Sequence, residues 1–450
     1  MGGPGGKLSP HVLAVVAYDS QLKWAMGLLA EFRRRGWSTR VVVPADVRHS
    51  LSAEQVRAAG ADDVGFLPWS RVLAEAAEAG AVVLAVQGPL VERFTDDLHV
   101  SRGEHGVAAA GPVVIAGWVG IIIEKIIAGY LDRCAADIVA VNSADNLRDF
   151  RAAASLLGIP DANLLLSGLP LLPAAPAPAG SGPVRTVLFA DQPTVPAGRA
   201  DRAYLYQRLA DYARAHPDRQ VLLRPRHRPG EGTFHVMRHH PETVLAGLPP
   251  TPDNFAVTYE PITSLLPRTD LLLTMSSTAG LEAIGAGVRT AFLGDLGVHE
   301  KHGNHVLLAS GLLATFDDLE ADRLPTARRA WLDDLFVRDR DGRARRPAER
   351  IVDRAVELHA LPPGDRPGAA VAASAFVRGR IAVRARRRTM PPITRTGVHS
   401  PVGEGRLADR LGRIRADARR RANWGAQALL PRSWVEWLRQ RRYAGTRPSR

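Results

Sequence analysis

Short apolar segments alternate with helical segments along most of this 450-residue chain, and this alternation constrains the fold more than any other feature. Strands that alternate with helices favour a parallel sheet covered by helices on both faces. In the first half of the chain, the apolar segments predict strands at residues 12–17, 40–43, 81–86, 112–117 and 137–141, and the segment 164–170 closes the series.

A run of Pro, Ala and Gly at residues 173–183 separates this series from a second one and is typical of a linker. The second series predicts strands at residues 186–190, 220–224, 255–259, 270–274 and 289–293, and a closing helix at 348–358. We therefore predict an α/β fold with two Rossmann-like, doubly wound domains that face a cleft. The predicted domains span residues 8–170 and 184–360, with a linker over 171–183. Ligands of such folds bind beyond the carboxyl ends of the strands.

The charge of the chain is concentrated at its end. The net charge is +13, but residues 361–450 hold 21 Arg and 5 acidic residues, which leaves −3 for residues 1–360. Residues 406–421 and 433–442 have the pattern of short basic amphipathic helices, and residues 384–388 form a cationic run. This extension is predicted to bind an anionic membrane surface. A disordered Arg-rich segment is the alternative.

Three further features of the sequence bear on where in the cell the protein is found. The one cysteine, Cys134, excludes an intrachain disulfide and favours a reducing compartment. The first residues lack the apolar region of a secretory signal. An uncharged stretch at 107–123 is interrupted by Pro112, Gly117 and Gly120, so we predict a strand, a turn and a helix there rather than a membrane span.

One candidate site lies where the predicted strand 270–274 meets three hydroxyl residues, Ser276, Ser277 and Thr278. A helical segment with Glu282 follows. The first-turn N–H groups of a helix lack partners and its dipole favours negative charge, so the pattern predicts a phosphate site. Simple capping by the hydroxyls is the alternative and is compatible with this role. Glu282 is either a ribose ligand or an ordinary helical acid.

A second candidate site follows the predicted strand 220–224, in the sequence RPRHRP at residues 224–229. It contains Arg224, Arg226 and His227. Arginine binds phosphate through paired hydrogen bonds, and histidine donates or shuttles a proton. The alternative is a solvated turn with incidental charge.

The first half of the chain offers candidates for the acceptor side of the cleft. Glu104 and His105 are the best general-base candidates, because either could take a proton from a hydroxyl group. An exposed loop is the alternative. Four further residues are expected to line the acceptor side: Asp19, Ser20, Trp118 and Gly120.

Several functional classes lose support from the sequence. There is no Walker A, GxGxxG or GxSxG motif, which argues against kinases, dinucleotide oxidoreductases and hydrolases. His299, His302 and His305 are spaced three residues apart, but without a cysteine or a tight acidic partner we predict no metal site. No cofactor is predicted.

The layout and two of these segments resemble a known family. The two-domain layout, residues 224–229 and residues 276–283 (SSTAGLEA) resemble the GT-B glycosyltransferases, and more narrowly the bacterial capsule and polysialic-acid transferases and the CDP-glycerol glycerophosphotransferases. Residues 167–170 (SGLP) and 189–193 (FADQP) resemble an uncharacterised group of actinobacterial glycosyltransferases. Together the resemblance covers about residues 10–360.

This resemblance implies that His227, Ser276 and Ser277 contact the phosphate and nucleotide of a sugar donor. Glu104 and His105 stand near the position of the acidic-Asp-Gly base motif of polysialyltransferases, but this chain has His where that motif has Asp. The pattern also departs from the family at Arg226, which stands directly before His227.

We predict a metal-independent glycosyltransferase that moves a sugar from a nucleotide-activated donor to an envelope or lipid-linked acceptor. It would be cytoplasmic and peripheral on the inner face of the membrane, and nucleic acid is not an expected partner. Two alternatives stay open. A UDP-sugar 2-epimerase shares the architecture but needs no acceptor, and a non-catalytic protein would bind nucleic acid or membrane through its basic tail.

Overall fold

The structure is a computed structural model and describes residues 10–47, 51, 53–61, 64–105, 111–229 and 237–389. One compact unit spans residues 1–384, and the description below concerns that unit. The basic segments predicted at 406–421 and 433–442 lie outside the described residues.

Seven parallel strands form the first sheet. They are β1 (His11–Val16), β2 (Ser38–Pro44), β3 (Val64–Leu67), β4 (Ala81–Ala85), β5 (Val113–Ala116), β6 (Ile138–Val141) and β7 (Leu164–Leu166). Their order is β3-β2-β1-β4-β5-β6-β7. The helices between them are α1 (Asp19–Arg34), α2 (Ala53–Ala58), α3 (Trp69–Glu78), α4 (Gly88–His105), α5 (Ile126–Leu131) and α6 (Ala144–Leu156).

Strand β1 explains why the sheet is covered on both faces. Leu13 and Val15 belong to the core on one face, while Val12, Ala14 and Val16 belong to the core on the other. Neighbouring side chains in a strand point to opposite faces. A continuous apolar run is therefore buried only if helices pack on both faces.

Six parallel strands form the second sheet. They are β8 (Thr186–Ala190), β9 (Gln220–Arg224), β10 (Phe255–Val257), β11 (Leu271–Thr274), β12 (Arg289–Leu293) and β13 (Leu313–Ala314). Their order is β10-β9-β8-β11-β12-β13. The α-helices of this part are α7 (Arg199–Ala215), α8 (Pro241–Leu245), α9 (Ile262–Leu265), α10 (Thr278–Gly285), α11 (Phe316–Glu320) and α12 (Arg329–Leu335).

The two sheets confirm the predicted fold class. In each, the strand order reverses beside the first strand, between β1 and β4 and between β8 and β11. Such a reversal leaves a crevice at the carboxyl ends of the strands, where ligands bind in this class of fold. Strands β3 and β13 were not predicted, because they hold only four and two residues at the sheet edges. Two 3₁₀ segments, Glu300–His302 and Asn304–Ser310, lie between β12 and β13.

The end of the compact unit returns to the first sheet. It contains α13 (Pro347–His359), α14 (Pro367–Ala372) and the first part of α15 (Ala375–Thr389). Ile351, Val352 and Ala355 of α13 are fully buried in the core that α1 covers. Val371 and Val377 join the core on the opposite face. The domain limits predicted from the sequence stay predictions.

Buried arginines fix this returning segment. Arg366 is 5% exposed and donates hydrogen bonds to the carbonyl oxygens of Leu358, Leu361 and Gly111. Arg380 and Arg384 both pair with the buried carboxylate of Asp96 on α4. Part of the basic charge after residue 360 is thus used within the compact unit.

The Pro/Ala/Gly segment that joins the sheets lies along the C-terminal end of α10. The N–H group of Ala177 donates to Gly285 O at 3.1 Å, and that of Gly180 donates to Gly287 O at 3.0 Å. Gly287 has φ +78°, and a Cβ atom there would lie 2.5 Å from Pro178 O, so only glycine fits. Within the described part of the chain, no helix is both long and apolar enough to cross a bilayer.

Candidate functional site

The amino end of α10 lies at the carboxyl edge of the second sheet, beside the reversal of strand order. Strand β11 ends at Thr274, and Ser277 caps the helix by accepting a 3.2 Å hydrogen bond from the N–H group of Ala279. Ser277 and Thr278 are half-buried. The first-turn N–H groups and the dipole of a helix end favour an anion.

Ser276 is built into the scaffold of this turn. It is 2% exposed, and its hydroxyl donates a 2.7 Å hydrogen bond to His302 O. Its N–H group donates a 2.8 Å hydrogen bond to Gln192 Oε1. Of the three hydroxyl residues predicted for the donor, Ser276 therefore ties β11 to the loops after β8 and β12, whereas Ser277 and Thr278 lie at the helix end.

Gln192 is a site residue that the sequence analysis missed. It follows β8 directly, so it lies at the same sheet edge as Ser276. A buried ion pair holds its loop: Arg202 Nη1 lies 3.0 Å from Asp191 Oδ2, and both side chains are 1% exposed. Arg202 also donates to Gln192 O at 2.6 Å. The sequence signal that could have identified Gln192 is its position as a polar residue just after a predicted strand.

The carboxyl group of Asp191 is fully satisfied. Tyr206 donates its hydroxyl proton to Oδ2 at 2.8 Å, and the N–H group of Gln192 donates to Oδ1 at 2.9 Å. Burial raises the pKa of Asp191, and the Arg202 guanidinium acts against that rise. This pair serves to fix the loop after β8 rather than to meet a ligand.

The end of β9 supplies the predicted cationic residues. Arg224 is half-buried, and its Nε donates a 2.7 Å hydrogen bond to Glu260 O. Burial and the neighbouring Arg226 lower the pKa of Arg224, while Glu282 and Asp19 act in the opposite direction. The predicted donor residues Arg224, Arg226 and Glu282 are thus brought together.

His227 presents a buried nitrogen to this region. The residue is 8% exposed, and Nδ1 lies 3.0 Å from Arg228 O. That carbonyl accepts a hydrogen bond, which assigns an N–H group to Nδ1. Among the described residues Nε2 has no hydrogen-bond partner. Buried polar atoms are rarely left unpaired, so Nε2 marks a place for a ligand group.

Glu282 connects this cluster to the first sheet. Burial raises its pKa, and Lys23, Arg226 and Arg224 act against that rise in this order. Lys23 lies on α1 and is exposed. The sequence analysis did not single out Lys23, because nothing in its own segment indicates that α1 faces α10.

Two direct contacts join the facing edges of the sheets. Arg226 Nη2 lies 3.0 Å from Asp19 Oδ2 and 3.2 Å from Oδ1, where Asp19 is the first residue of α1. On the other side, Gly120 lies so close to Thr278 that a Cβ atom on Gly120 would be 2.6 Å from Thr278 Oγ1. Ser20, beside Asp19, is half-buried.

Trp118 holds the loop that carries Gly120. Its ring stacks on Phe150 at 5.0 Å, and the Arg133 guanidinium lies 4.5 Å from its centroid. Arg133 also donates to Gly117 O, and burial lowers its pKa to about 10. The predicted acceptor-side residues Asp19, Ser20, Trp118 and Gly120 thus all lie at the carboxyl edge of the first sheet.

Glu104 and His105 are the last two residues of α4. Their side chains lie outside the described part of the structure, so their role as bases stays a prediction. His299 and His302 have ring centroids 6.4 Å apart. No group of three or more metal-ligating side chains occurs among the residues that the structure describes.

Two cavities of about 380 and 420 Å³ lie elsewhere. One is lined by Ala144, Arg329 and Asp334 among others, and the other by Leu248, Pro249 and Phe255 among others. Neither cavity is lined by the predicted donor residues Arg224, Arg226, His227 and Glu282.

Comparison with known proteins places these features in a family. One family model matches residues 12–357 and bears the description "Putative glycosyltransferase (DUF6716)". A search of curated proteins gave no match.

Several solved structures are similar to this chain at low sequence identity. A putative UDP-N-acetylglucosamine 2-epimerase from Listeria monocytogenes is 14% identical over 79% of this chain and 99% of its own, with a TM-score of 0.51. A UDP-glucosyltransferase from Polygonum tinctorium is 15% identical over 85% and 99%, with a TM-score of 0.42. MurG from Acinetobacter baumannii is 11% identical over 81% and 99%, with a TM-score of 0.40. Only the similarity to the Listeria monocytogenes structure has a TM-score above 0.5, and it supports the fold but not a function.

Proposed function

This chain belongs to the glycosyltransferase family DUF6716, and we propose that it moves a sugar from a nucleotide-activated donor to a cell-envelope or lipid-linked acceptor without a metal ion. One observation carries the proposal: Arg224 and Arg226 at the end of β9 interact with Glu282 of α10, and Nε2 of the neighbouring His227 is buried without a partner among the described residues. Such an arrangement suits a phosphate.

In the proposed reaction, the bond between the sugar carbon and the donor phosphate oxygen breaks as the acceptor oxygen bonds to that carbon. Negative charge develops on the leaving phosphate. Arg224, Arg226 and the N–H groups of Ser277 and Thr278 would stabilise this charge, which is the role that a metal ion has in other transferases. Glu282 would accept hydrogen bonds from the ribose, and Ser276 would act through the backbone it fixes.

The acceptor would enter from the first sheet. Asp19, Ser20, Trp118 and Gly120 lie at its carboxyl edge, which faces α10. Glu104 or His105 would take the proton from the acceptor hydroxyl. The finer resemblance to capsule and CDP-glycerol transferases supports an envelope acceptor as part of this proposal.

The basic residues after the compact unit would hold the enzyme on the inner face of the membrane. Each basic residue near an anionic surface contributes about 1 kcal/mol. Arg366, Arg380 and Arg384 are engaged within the compact unit, so the attraction would come from the later arginines.

Binding to vesicles with 30% anionic lipid tests this, with Arg413, Arg415, Arg419 and Arg420 replaced by Gln in the comparison protein. Equal binding of both proteins would contradict it.

The reaction itself is tested by incubating the full chain with nucleotide sugars in the presence and absence of envelope glycolipid extracts. We expect release of the nucleotide only when acceptor is present. Conversion of a UDP-sugar to its 2-epimer without nucleotide release would instead show an epimerase. No conversion of any donor, combined with no nucleotide binding, would favour a non-catalytic protein.

A further inference from the structure

An ion pair crosses the gap between the two sheets at the proposed donor site. Arg226 follows β9 of the second sheet and Asp19 begins α1 of the first, and both carboxylate oxygens lie within 3.2 Å of Arg226 Nη2. The side chains are 41% and 28% exposed. An ion pair with this exposure is weak, so another anion can replace its carboxylate.

The surrounding charges show what Asp19 does to the site. Lys23, Arg224 and Arg226 supply three positive charges, while Asp19 and Glu282 supply two negative ones. Asp19 therefore halves the net positive charge that an incoming phosphate would meet, from +2 to +1. A guanidinium donates hydrogen bonds to carboxylate and phosphate alike, so Asp19 occupies Nη2 of Arg226, a donor that a phosphate would use.

The same edge is closed by packing. Thr278 of α10 lies against Gly120, and a Cβ atom on Gly303 would lie 2.8 Å from Ile123 Cδ1. The loop after β5 therefore covers the amino end of α10 and the neighbouring Gly303. A donor that reaches this helix end has to part these contacts, and the Asp19–Arg226 pair lies on the same boundary.

We propose that Asp19 is an internal counter-ion that competes with the donor phosphate for Arg226. The free protein keeps the anion site partly filled by its own carboxylate, and donor binding exchanges that carboxylate for phosphate as the facing edges separate. This inference rests on the proposed function, because it assumes that the anion at Arg226 belongs to a nucleotide.

The test is calorimetric titration of the full chain with CMP, CDP, UDP, GDP and ADP, continued with the tightest binder. We expect Asp19→Asn to bind that nucleotide about two- to fivefold more tightly, the range that a partly exposed ion pair allows. Arg226→Gln should bind about tenfold or more weakly, because it loses a charged hydrogen-bond donor. In the Arg226→Gln background, Asp19→Asn should have a smaller effect, since the pair no longer exists and only the charge of Asp19 still opposes the phosphate.

The controls separate this inference from the proposed function. Asp211→Asn removes an acid of similar exposure that pairs with Arg214 on α7, and it should leave affinity unchanged. Asp19→Ala provides a second variant if Asp19→Asn fails to fold. If no nucleotide binds the wild-type chain, the proposed function fails and this inference falls with it. If nucleotide binds and Arg226→Gln weakens it, but Asp19→Asn weakens it too or leaves it unchanged, only the competition is refuted.

Discussion

The side-chain oxygen of Gln192 accepts a 2.8 Å hydrogen bond from the backbone N–H group of Ser276, and this contact joins the ends of β8 and β11. It fixes the turn from which α10 starts. The geometry of the proposed phosphate site therefore depends on a residue more than 80 positions earlier in the sequence.

We expect Gln192→Ala to weaken nucleotide binding about tenfold while lowering the free energy of unfolding by about 1–2 kcal/mol, because the buried N–H group of Ser276 loses its acceptor. Calorimetric titration and urea unfolding measure the two effects. Gln207→Ala is the control, since Gln207 bonds to Asp211 on α7. Full nucleotide affinity in Gln192→Ala would argue against the role given to this contact.

The buried pair beneath that loop gives a stability prediction. Arg202→Met should lower the free energy of unfolding by about 3–5 kcal/mol at pH 7, because it leaves the Asp191 carboxylate buried without its partner. Arg214→Met, at an exposed pair, should cost about 1 kcal/mol or less. Urea unfolding measures both variants. Similar losses of unfolding free energy would contradict the structural role given to the buried pair of Arg202 and Asp191.

The same variant should show a defined pH dependence. Burial raises the pKa of Asp191, and loss of Arg202 removes the cation that opposes this rise. The folded variant then holds the proton more tightly than the unfolded chain, so its stability falls as the pH rises above the unfolded value of about 3.9. Unfolding at pH 5 and pH 7 should therefore show the larger deficit at pH 7. A larger loss of unfolding free energy at pH 5 than at pH 7 would contradict a raised pKa of Asp191 in the variant.

The contact between Gly120 and Thr278 gives a prediction with its own rescue. Gly120→Ala places a Cβ atom 2.6 Å from Thr278 Oγ1, so the facing edges cannot close again on a bound donor, and activity should fall about tenfold or more, as small misplacements do in active sites. Adding Thr278→Ala removes that oxygen and should restore part of the activity. Transfer rates of the single and double variants measure this. Lower activity in the double variant than in Gly120→Ala would contradict the steric explanation.

The returning C-terminal segment can be tested in the same way. Arg366→Met removes hydrogen bonds to three carbonyl oxygens at a buried position and should destabilise the chain by about 3 kcal/mol. Arg378→Met, at an exposed position of α15, should have little effect. Thermal and urea unfolding compare them. Equal stability of the two variants would contradict the structural role given to Arg366.

Much of the fold was predictable because parallel strands buried on both faces are continuous apolar runs. Strands β8, β9 and β12 have the predicted limits, and the Pro/Ala/Gly segment does join the two sheets. The amphipathic pattern of α13 indicated a helix. It did not indicate which sheet the helix covers, because an apolar face fits either core.

The candidate site was predictable only where a residue and its neighbours in the sequence share one sheet edge. Arg224, Arg226 and His227 follow one strand and Ser277 and Thr278 follow another, so their position followed from the strand pattern. Lys23 and the partners of Ser276 could not be predicted, because their contacts join elements far apart in the chain. The two sheet edges meet only in the folded molecule.

Nucleotide binding where β9 and β11 end is measured by calorimetric titration. We expect at least one of CMP, CDP, UDP, GDP and ADP to bind the wild-type chain, and to bind about tenfold or more weakly to His227→Ala and Arg224→Met. Arg268→Met, at an exposed pair with Glu260, should keep the wild-type affinity. Binding that is absent for every nucleotide, or equal in all four proteins, would contradict the account.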